Sequence, residues 1–468
     1  MAFTLGGSVS LTPAPSQVTL PGNYITDFNF LNQYLPDTYE KEFERYGNRS
    51  VSSFLRMVGA EMPCTSDLIK WSEQGRLHIK YEGVTLDDAE VAGQDDVVLN
   101  ITGHALRKGQ TVMVSDGSTS ATASFKGIIT ATATDTVTVA IYDAAGLPAV
   151  AGLASGDNSA TDLDLFVYGS EFKKGSNGMD GALEAEEDIK ENNPIIIKDK
   201  YSVSGSDMAQ IGWIEVEGEN GSGYLWYLKS EHETRQRFED YLETAMIEAV
   251  PAEANSGAIA ASGDLGNKGS EGLFYTVSQR GNVWGGGNPT SLTDFDAIIQ
   301  RLDKQGAIQE NVLFVNRQFS FDIDDMLAAQ NSYGAGGTSY GLFDNDADMA
   351  LNLGFTGFRR GYDFYKSDWK YLNDPTMRGG LVGGAVNGLL VPAGSTTVYD
   401  QVLGKNAKRP FLHVRYRASE TEDRRYKTWI TGSAGGARTS DLDAMTVNFL
   451  SERAVCTLGA NNFFLFSA

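Results

Sequence analysis

The stretch from Ser230 to Pro251 constrains this chain more than any other. Ser230 and Glu233 stand at capping-box spacing, where the Ser hydroxyl accepts from the Glu233 amide and the Glu side chain reaches back. Glu231–Arg235, Glu233–Arg237 and Arg235–Glu239 are opposite charges four residues apart, so each pair can meet on a helix surface. Phe238, Leu242, Ala245, Met246 and Ala249 fall on one apolar stripe, and Pro251 ends the run. At about 1.5 Å per residue the segment is a rod of roughly 30 Å with one apolar face. It follows a long β-rich, Gly-rich region and contains no catalytic motif. A rod set in a sheet scaffold points to architecture.

Composition narrows the class. The 468 residues suffice for about three domains. With 41% hydrophobic and 21% charged residues, the chain reads as folded rather than disordered. The formal net charge of −23 repels phosphates and argues against sequence-specific nucleic-acid binding. It also keeps a concentrated protein in solution until a specific contact forms. Cys64 and Cys456 lie far apart in apolar contexts and read as two reduced core thiols, not a disulfide or a metal pair. The first 17 residues lack the basic and apolar regions of a secretion signal. No run approaches the roughly 18 apolar residues of a membrane span, so cytoplasmic synthesis without a membrane partner is expected.

Residues 1–35 are polar, carry Pro13, Pro15 and Pro21, and read as an extended arm. Helices are expected at 37–47, 50–58 and 65–74, the last capped by Thr65 or Ser66. From Arg76 the pattern turns to strands, with Leu77, Ile79 and Tyr81 alternating against His78 and Lys80. Between 96 and 168 five short strands (VVLNI, QTVMVS, ASFKGIITATAT, DTVTVAIY, DLDLFVY) are separated by turn residues, the pattern of a small barrel or sandwich. Two further strands over 194–226 lead into the long helix. Ser291 caps a helix whose Leu292, Phe295, Ile298, Ile299 and Leu302 share a face, with Gly306 at its end. Strand NVLFVN and a helix near 319–330 follow, an αβα succession that implies a helix-covered sheet. The remainder is Gly-rich loops, the aromatic strands of 358–372 and four strands over 411–466. There is no internal repeat.

Chemistry is sparse. His78, His104, His232 and His413 have no second ligand at metal spacing and read as structural or surface histidines. Asp344, Asp346 and Asp348 resemble the start of a calcium loop, but Met349 and Phe355 stand where the loop needs Gly and a bidentate acid. The Gly-rich segments 285–290 and 432–439 lack the terminal Lys-Ser/Thr of a phosphate loop and read as connectors. No nucleophilic Cys with a credible His nearby in sequence occurs. The chain reads as neither an enzyme nor a binder of any cofactor or metal.

In order, the parts are arm, short helices, β excursion with an inserted module, long helix, αβ domain and returning strands. This order resembles the Hong Kong 97-type major capsid fold of tailed bacteriophages, an α+β architecture. The segments SGSDMAQIGWIEV, SGYLWYLKSEHETRQRFEDYLETAM, GFTGFRRGYDFYKSDWKYLNDP and VNFLSERAVCTLGANNFFLF are similar to capsid proteins of the crAss-like phages. The similarity covers about 1–90 and 190–468, and the insertion is placed by context. The resemblance implies an N-terminal arm at 1–35 and short peripheral helices at 36–75. It places an extended β loop at 76–90 and 189–216, around an all-β insertion domain at 91–188. A peripheral domain follows at 217–289, with its spine helix at 231–249. An axial domain at 290–440 and returning peripheral strands at 441–468 complete it. On the spine, Phe238, Leu242 and Met246 are the residues expected to matter for assembly.

The implied function is that of a major capsid protein. It would self-assemble as pentamers and hexamers into an icosahedral head, built in the host cytoplasm and enclosing double-stranded DNA without sequence-specific contacts. Portal, scaffolding and head auxiliary proteins are the implied partners, and the virion is the implied location. Aromatic residues at 10% supply interface anchors. Some members of the fold weld subunits through a Lys–Asn bond; no such pair is identifiable, and non-covalent assembly is expected. The rival readings are a tail-tube, sheath or fibre protein with a binding module at 91–188, and a β-rich glycan hydrolase.

Overall fold

The computed structural model describes residues 54–55, 60–87, 92–116, 124–148, 163–181, 183–184, 187–211, 216–218, 221–223, 226–253, 256–260, 267–331, 356–381, 383–400, 405–436 and 438–467. The arm at 1–35, the helix expected at 37–47 and the Asp344–Asp348 cluster lie outside them. Of the helix expected at 50–58, Phe54 and Leu55 are described and are helical.

The long helix runs Trp226–Glu248, starting one turn before the expected capping box. Ser230 therefore does not cap it. Its hydroxyl donates back to the Trp226 carbonyl at 3.3 Å, as Ser does inside a helix. The earlier start has a tertiary cause, because Trp226 and Tyr227 pack against the sheet beneath. Arg235 reaches Glu239 at 3.9 Å as the spacing predicts, whereas Arg237 leaves the helix and pairs with Asp199 at 3.0 Å.

The helix lies on a five-stranded sheet, here the spine sheet. Its order is Ala60–Cys64, Leu412–Arg417, Ala444–Thr457, Ile195–Ser204, with Lys427–Gly432 also paired to Ala444–Thr457. Most neighbours are antiparallel; Ala60–Cys64 runs parallel to Leu412–Arg417 with Ala60 opposite His413. The strands at 412–432 were expected in the axial domain. They belong to this sheet because the 14-residue strand Ala444–Thr457 is long enough to pair with all of them.

A second sheet has six strands in the order Asn282–Trp284, Phe464–Ser467, Val386–Pro392, Glu310–Val315, Tyr362–Asp368, Gly357–Arg360. Phe464–Ser467, expected among the returning peripheral strands, is thus a member of this sheet. The helices Leu292–Gln305 and Arg317–Asn331 accompany it. Ser291 and Asp294 form a true capping box at the first helix, and Gly306 closes it with φ 67°, a left-handed cap that suits glycine. Phe295, Ile298 and Leu302 are buried with Leu313, Phe319, Phe364 and Phe466. The two sheets share a further core in which Met246 and Ile247 of the long helix meet Phe314, Leu389, Val414 and Leu465. There the Phe54 ring stacks on Trp369 at 4.2 Å.

The excursion differs from expectation at its root. Residues 69–74, expected as helix, form a strand (Ile69–Gln74) paired with Glu187–Asn192. This ribbon stands in place of the extended loop expected from 76–90 and 189–216, and Ile195–Ser204 instead belongs to the spine sheet. Pairing overrides a weak cap signal because Ile69 and Trp71 bury one face of the ribbon near Cys64, Ala454 and Cys456. Leu77, expected inward, is 85% exposed.

Beyond the ribbon the chain forms a closed six-stranded barrel in the order Lys80–Leu86, Asp96–Asn100, Thr136–Ile141, Ser124–Thr132, Gln110–Asp116, Leu163–Ser170. The five strands read from the sequence are present, and Lys80–Leu86 supplies the sixth, so the module begins before residue 91. Val97, Leu99, Val112, Val114, Val137, Val139 and Leu165 fill its interior with no exposure. Replacing residues 75–186 with an Asn-Gly turn is expected to close the ribbon at Gln74–Glu187 and leave a soluble chain. Deleting 91–188 strands Lys80–Leu86 without partners and is expected to cause aggregation. Size-exclusion chromatography with far-UV circular dichroism distinguishes these outcomes, and equal behaviour of the two deletions would refute the boundary.

Candidate functional site

The long helix is amphipathic by design of its apolar spacing. Phe238, Leu242 and Met246 are 0%, 6% and 0% exposed. Phe238 meets the rings of Tyr426 at 5.4 Å and Phe449 at 5.7 Å. Leu242 joins it in a cluster with Val203, Met445 and Val447, while Met246 belongs to the core shared with the six-stranded sheet. The three residues singled out from the sequence thus bind the helix to its own chain, one end to each core. What the helix offers outward is Leu228, Tyr241 and, just past its end, Val250, at 49%, 46% and 58% exposure.

The C-terminal end of the helix is anchored by a carboxylate that sequence reading missed. Tyr371 Oη donates to Glu248 Oε1 at 2.7 Å, and Arg378 Nη1 donates to Oε2 at 2.9 Å. Arg378 Nη2 reaches the Gly384 carbonyl at 2.8 Å, and its guanidinium lies 5.5 Å from the Phe274 ring centroid. Burial, reinforced by the Glu248 hydrogen bond, pushes the Tyr371 phenol far above its ordinary range. Glu248, Tyr371 and Arg378 line an open cleft of about 480 Å³ together with Asp240, Thr244 and Leu381. Nearer the middle of the helix, buried Glu243 accepts from the Leu55 amide at 3.1 Å. In sequence Glu243 and Glu248 look like ordinary helix-surface acids, so no local signal marks them.

A charged network fastens the spine sheet where Ala60–Cys64, Leu412–Arg417 and Ala444–Thr457 run side by side. Glu61 pairs with Arg425 and, at 3.4 Å, with Arg453. Glu452 takes Arg424 at 2.6 Å and Arg417 at 3.5 Å, and Arg417 also pairs with Asp67. These ion pairs tie Ala60–Cys64, Leu412–Arg417 and Ala444–Thr457 to one another, which suits scaffolding.

His413 is buried with Nδ1 3.2 Å from the Pro410 carbonyl oxygen, and His104 Nε2 is 3.3 Å from that of Thr136. Among the described residues no group of three or more His, Cys, Asp or Glu side chains is arranged to hold a metal. Cys64 and Cys456 are both buried thiols outside any disulfide, and burial raises the Cys64 thiol. In the 285–290 loop Asn288 Nδ2 donates to Asp322 Oδ2 at 2.6 Å, which places an acid where a phosphate would need a cation. No helix among the described residues is long and apolar enough to cross a membrane.

No protein-family model matches the chain, and no curated protein matches it. Among solved structures it is similar to a chain of Microbacterium phage Oxtober96, at 9% identity and a TM-score of 0.39 over 93% of this chain and 97% of that one. It is similar to the capsid of a native GTA particle at 10% identity, a TM-score of 0.36 and coverage of 94% and 97%. A third similarity is to the SrpI encapsulin complex of Synechococcus elongatus, at 12% identity, a TM-score of 0.33 and coverage of 60% and 77%.

Two outcomes test the anchoring of the helix. Phe238→Ala is expected to destabilise the fold by about 3–5 kcal/mol through the cavity it leaves. Tyr241→Ser, on the exposed face, is expected to change stability by less than about 0.5 kcal/mol in the same thermal melts. The raised Tyr371 pKa gives a second test. A raised folded-state value means stability present below the free tyrosine pKa of about 10 and lost as pH rises toward the folded value. Melting temperature is therefore expected to fall above about pH 10, and Tyr371→Phe to flatten that alkaline decline.

Proposed function

We propose that this chain is a shell subunit, the major capsid protein of a tailed phage. It assembles non-covalently as pentamers and hexamers into an icosahedral head around double-stranded DNA. The observation that carries the proposal is a 23-residue helix laid across one sheet, beside a ribbon bearing its own barrel and a separate helix-covered sheet. The parts follow the chain order of the Hong Kong 97-type resemblance, with the ribbon and barrel in the place of its extended loop and insertion. A projecting ribbon gives a subunit reach toward neighbours, and permanent assemblies bury several thousand Å² per copy. The ribbon's outward face carries Ile189, 62% exposed, opposite Ser72. Portal, scaffolding and auxiliary head proteins are the further partners this reading implies.

The rival reading, a tail-tube, sheath or fibre protein, draws on the barrel. Its buried core is aliphatic apart from Phe125, while Tyr142, Phe166, Tyr168 and Phe172 stand outside at 42–50% exposure. An aromatic outer wall suits a binding module. A tube, however, gives the long helix no task.

Electron microscopy of purified protein separates the readings, since spheres are expected rather than tubes. Ile189→Asp is expected to leave the melting temperature of the free chain within about 2 °C while reducing particle yield at least tenfold, with yield read by light scattering and particle counts. Wild-type yield from that variant removes the ribbon from the interface.

A further inference from the structure

We infer that the face of the spine sheet turned away from the long helix is a seat for the phosphodiester backbone of nucleic acid, bound without regard to sequence. Tyr201, Val203, Met445, Val447 and Phe449 lie under the helix. Side chains alternate across a strand, so their neighbours occupy the opposite face. Three cross-strand rows result. Lys198 stands opposite Leu450, which stands opposite Lys427; Lys200, Asn448 and Trp429 form the next row, and Ser202, Thr446 and Thr431 the third. These rows contain no carboxylate. Lys198, Lys200 and Ser202 are exposed, and Trp429 is 37% exposed.

The chemistry of the rows matches phosphate contact. Lysines, hydroxyls and amides are the groups that hold nucleic-acid backbones. Ser202 Oγ and Thr446 Oγ1 are 3.0 Å apart, and Asn448 Nδ2 donates to Thr431 Oγ1 at 3.1 Å, so the polar rows are held in register. Lys198 and Lys200 are about 6.6 Å apart along their strand, and Lys198 and Lys427 about 9.5 Å apart across two strand spacings. Lys427 Nζ lies 5.9 Å from the Trp429 ring centroid, an aromatic surface of the kind on which unpaired bases stack.

Three carboxylates bear on the patch, and one of them, Glu452, stands opposite Ile196 in the next row of the same face, where Arg424 and Arg417 hold it. Glu422 pairs with Lys427 at 2.5 Å and offsets part of its charge. Asp199 lies on the helix side of the sheet and is held by Arg237 at 3.0 Å. The overall charge of −23 opposes approach at long range. At physiological salt the screening length is about 8 Å, so contact is decided by the groups of the patch itself. Lysines alone would equally suit an acidic protein surface. The exposed indole and the row of hydroxyls favour nucleic acid. The inference rests on the shell reading only for the source of the polymer, which there is the enclosed genome.

The test uses the full-length chain with a labelled 20-base-pair duplex and a 20-nucleotide single strand, followed by fluorescence anisotropy between about 20 and 200 mM NaCl. Binding that weakens with salt is expected. K198A/K200A is expected to lower the slope of log K against log salt by about 2, one for each lost phosphate contact. Trp429→Ala is expected to weaken the single strand more than the duplex. No wild-type binding at 20 mM NaCl overturns the proposal, as does an unchanged slope in the double variant. Competition by polyglutamate at concentrations where unlabelled DNA fails to compete also overturns it, and would mark the face as a seat for an acidic protein. Light scattering of the same samples reports assembly separately. Loss of DNA binding with intact particles supports the seat, and failure of wild-type particles to form sinks the shell reading without touching it.

Discussion

The long helix and the spine sheet lean on one strand. Ala444–Thr457 pairs with Ile195–Ser204 along its first ten residues, with Lys427–Gly432 on its other side, and with Leu412–Arg417 near its end. Its Met445, Val447 and Phe449 form the floor on which Phe238 and Leu242 of the long helix sit. Val455 passes into the second core, where Met246 and Leu465 meet it. The helix owes its position to that strand, and the cleft at Glu248 owes its shape to the helix.

Burial patterns were legible where one element satisfied itself. The helix Leu292–Gln305 has its cap at Ser291, its apolar face and its terminal Gly306 all in one segment, and each is realised. The barrel strands were equally readable, since alternation within each strand reflects a closed interior. The start of the long helix was not, because Trp226 and Tyr227 gain their place from a sheet more than 200 residues downstream. The strand Ile69–Gln74, within the helix expected at 65–74, has the same cause. Its Ile69 and Trp71 alternate, but the faces they bury become visible only beside Asn192 and Lys190.

The candidate site follows this division. Phe238, Leu242 and Met246 announced themselves by spacing, yet spacing cannot say whether an apolar stripe meets its own chain or another. The structure puts them inside. Glu248, Tyr371 and Arg378 are 123 and 130 residues from one another across the anchor and carry no motif. The lysine rows were hidden by arithmetic of another kind. A net charge of −23 conceals a local face on which strands from positions near 200, 430 and 450 bring Lys198, Lys200 and Lys427 together.

The pairing of remote strands also bears on how the chain is made. Glu61 finds Arg425 across 364 residues, and Trp284 receives its bond from Ser467 across 183. At translation rates of roughly 5–20 residues per second, an early edge waits on the order of 20 to 70 seconds for its mate. Throughout that interval a nascent chain displays apolar ridges and unpaired amides beside sibling chains on neighbouring ribosomes. Chaperone shielding during synthesis is therefore the natural companion of this topology, and crowded expression is where swapped strands between siblings would arise.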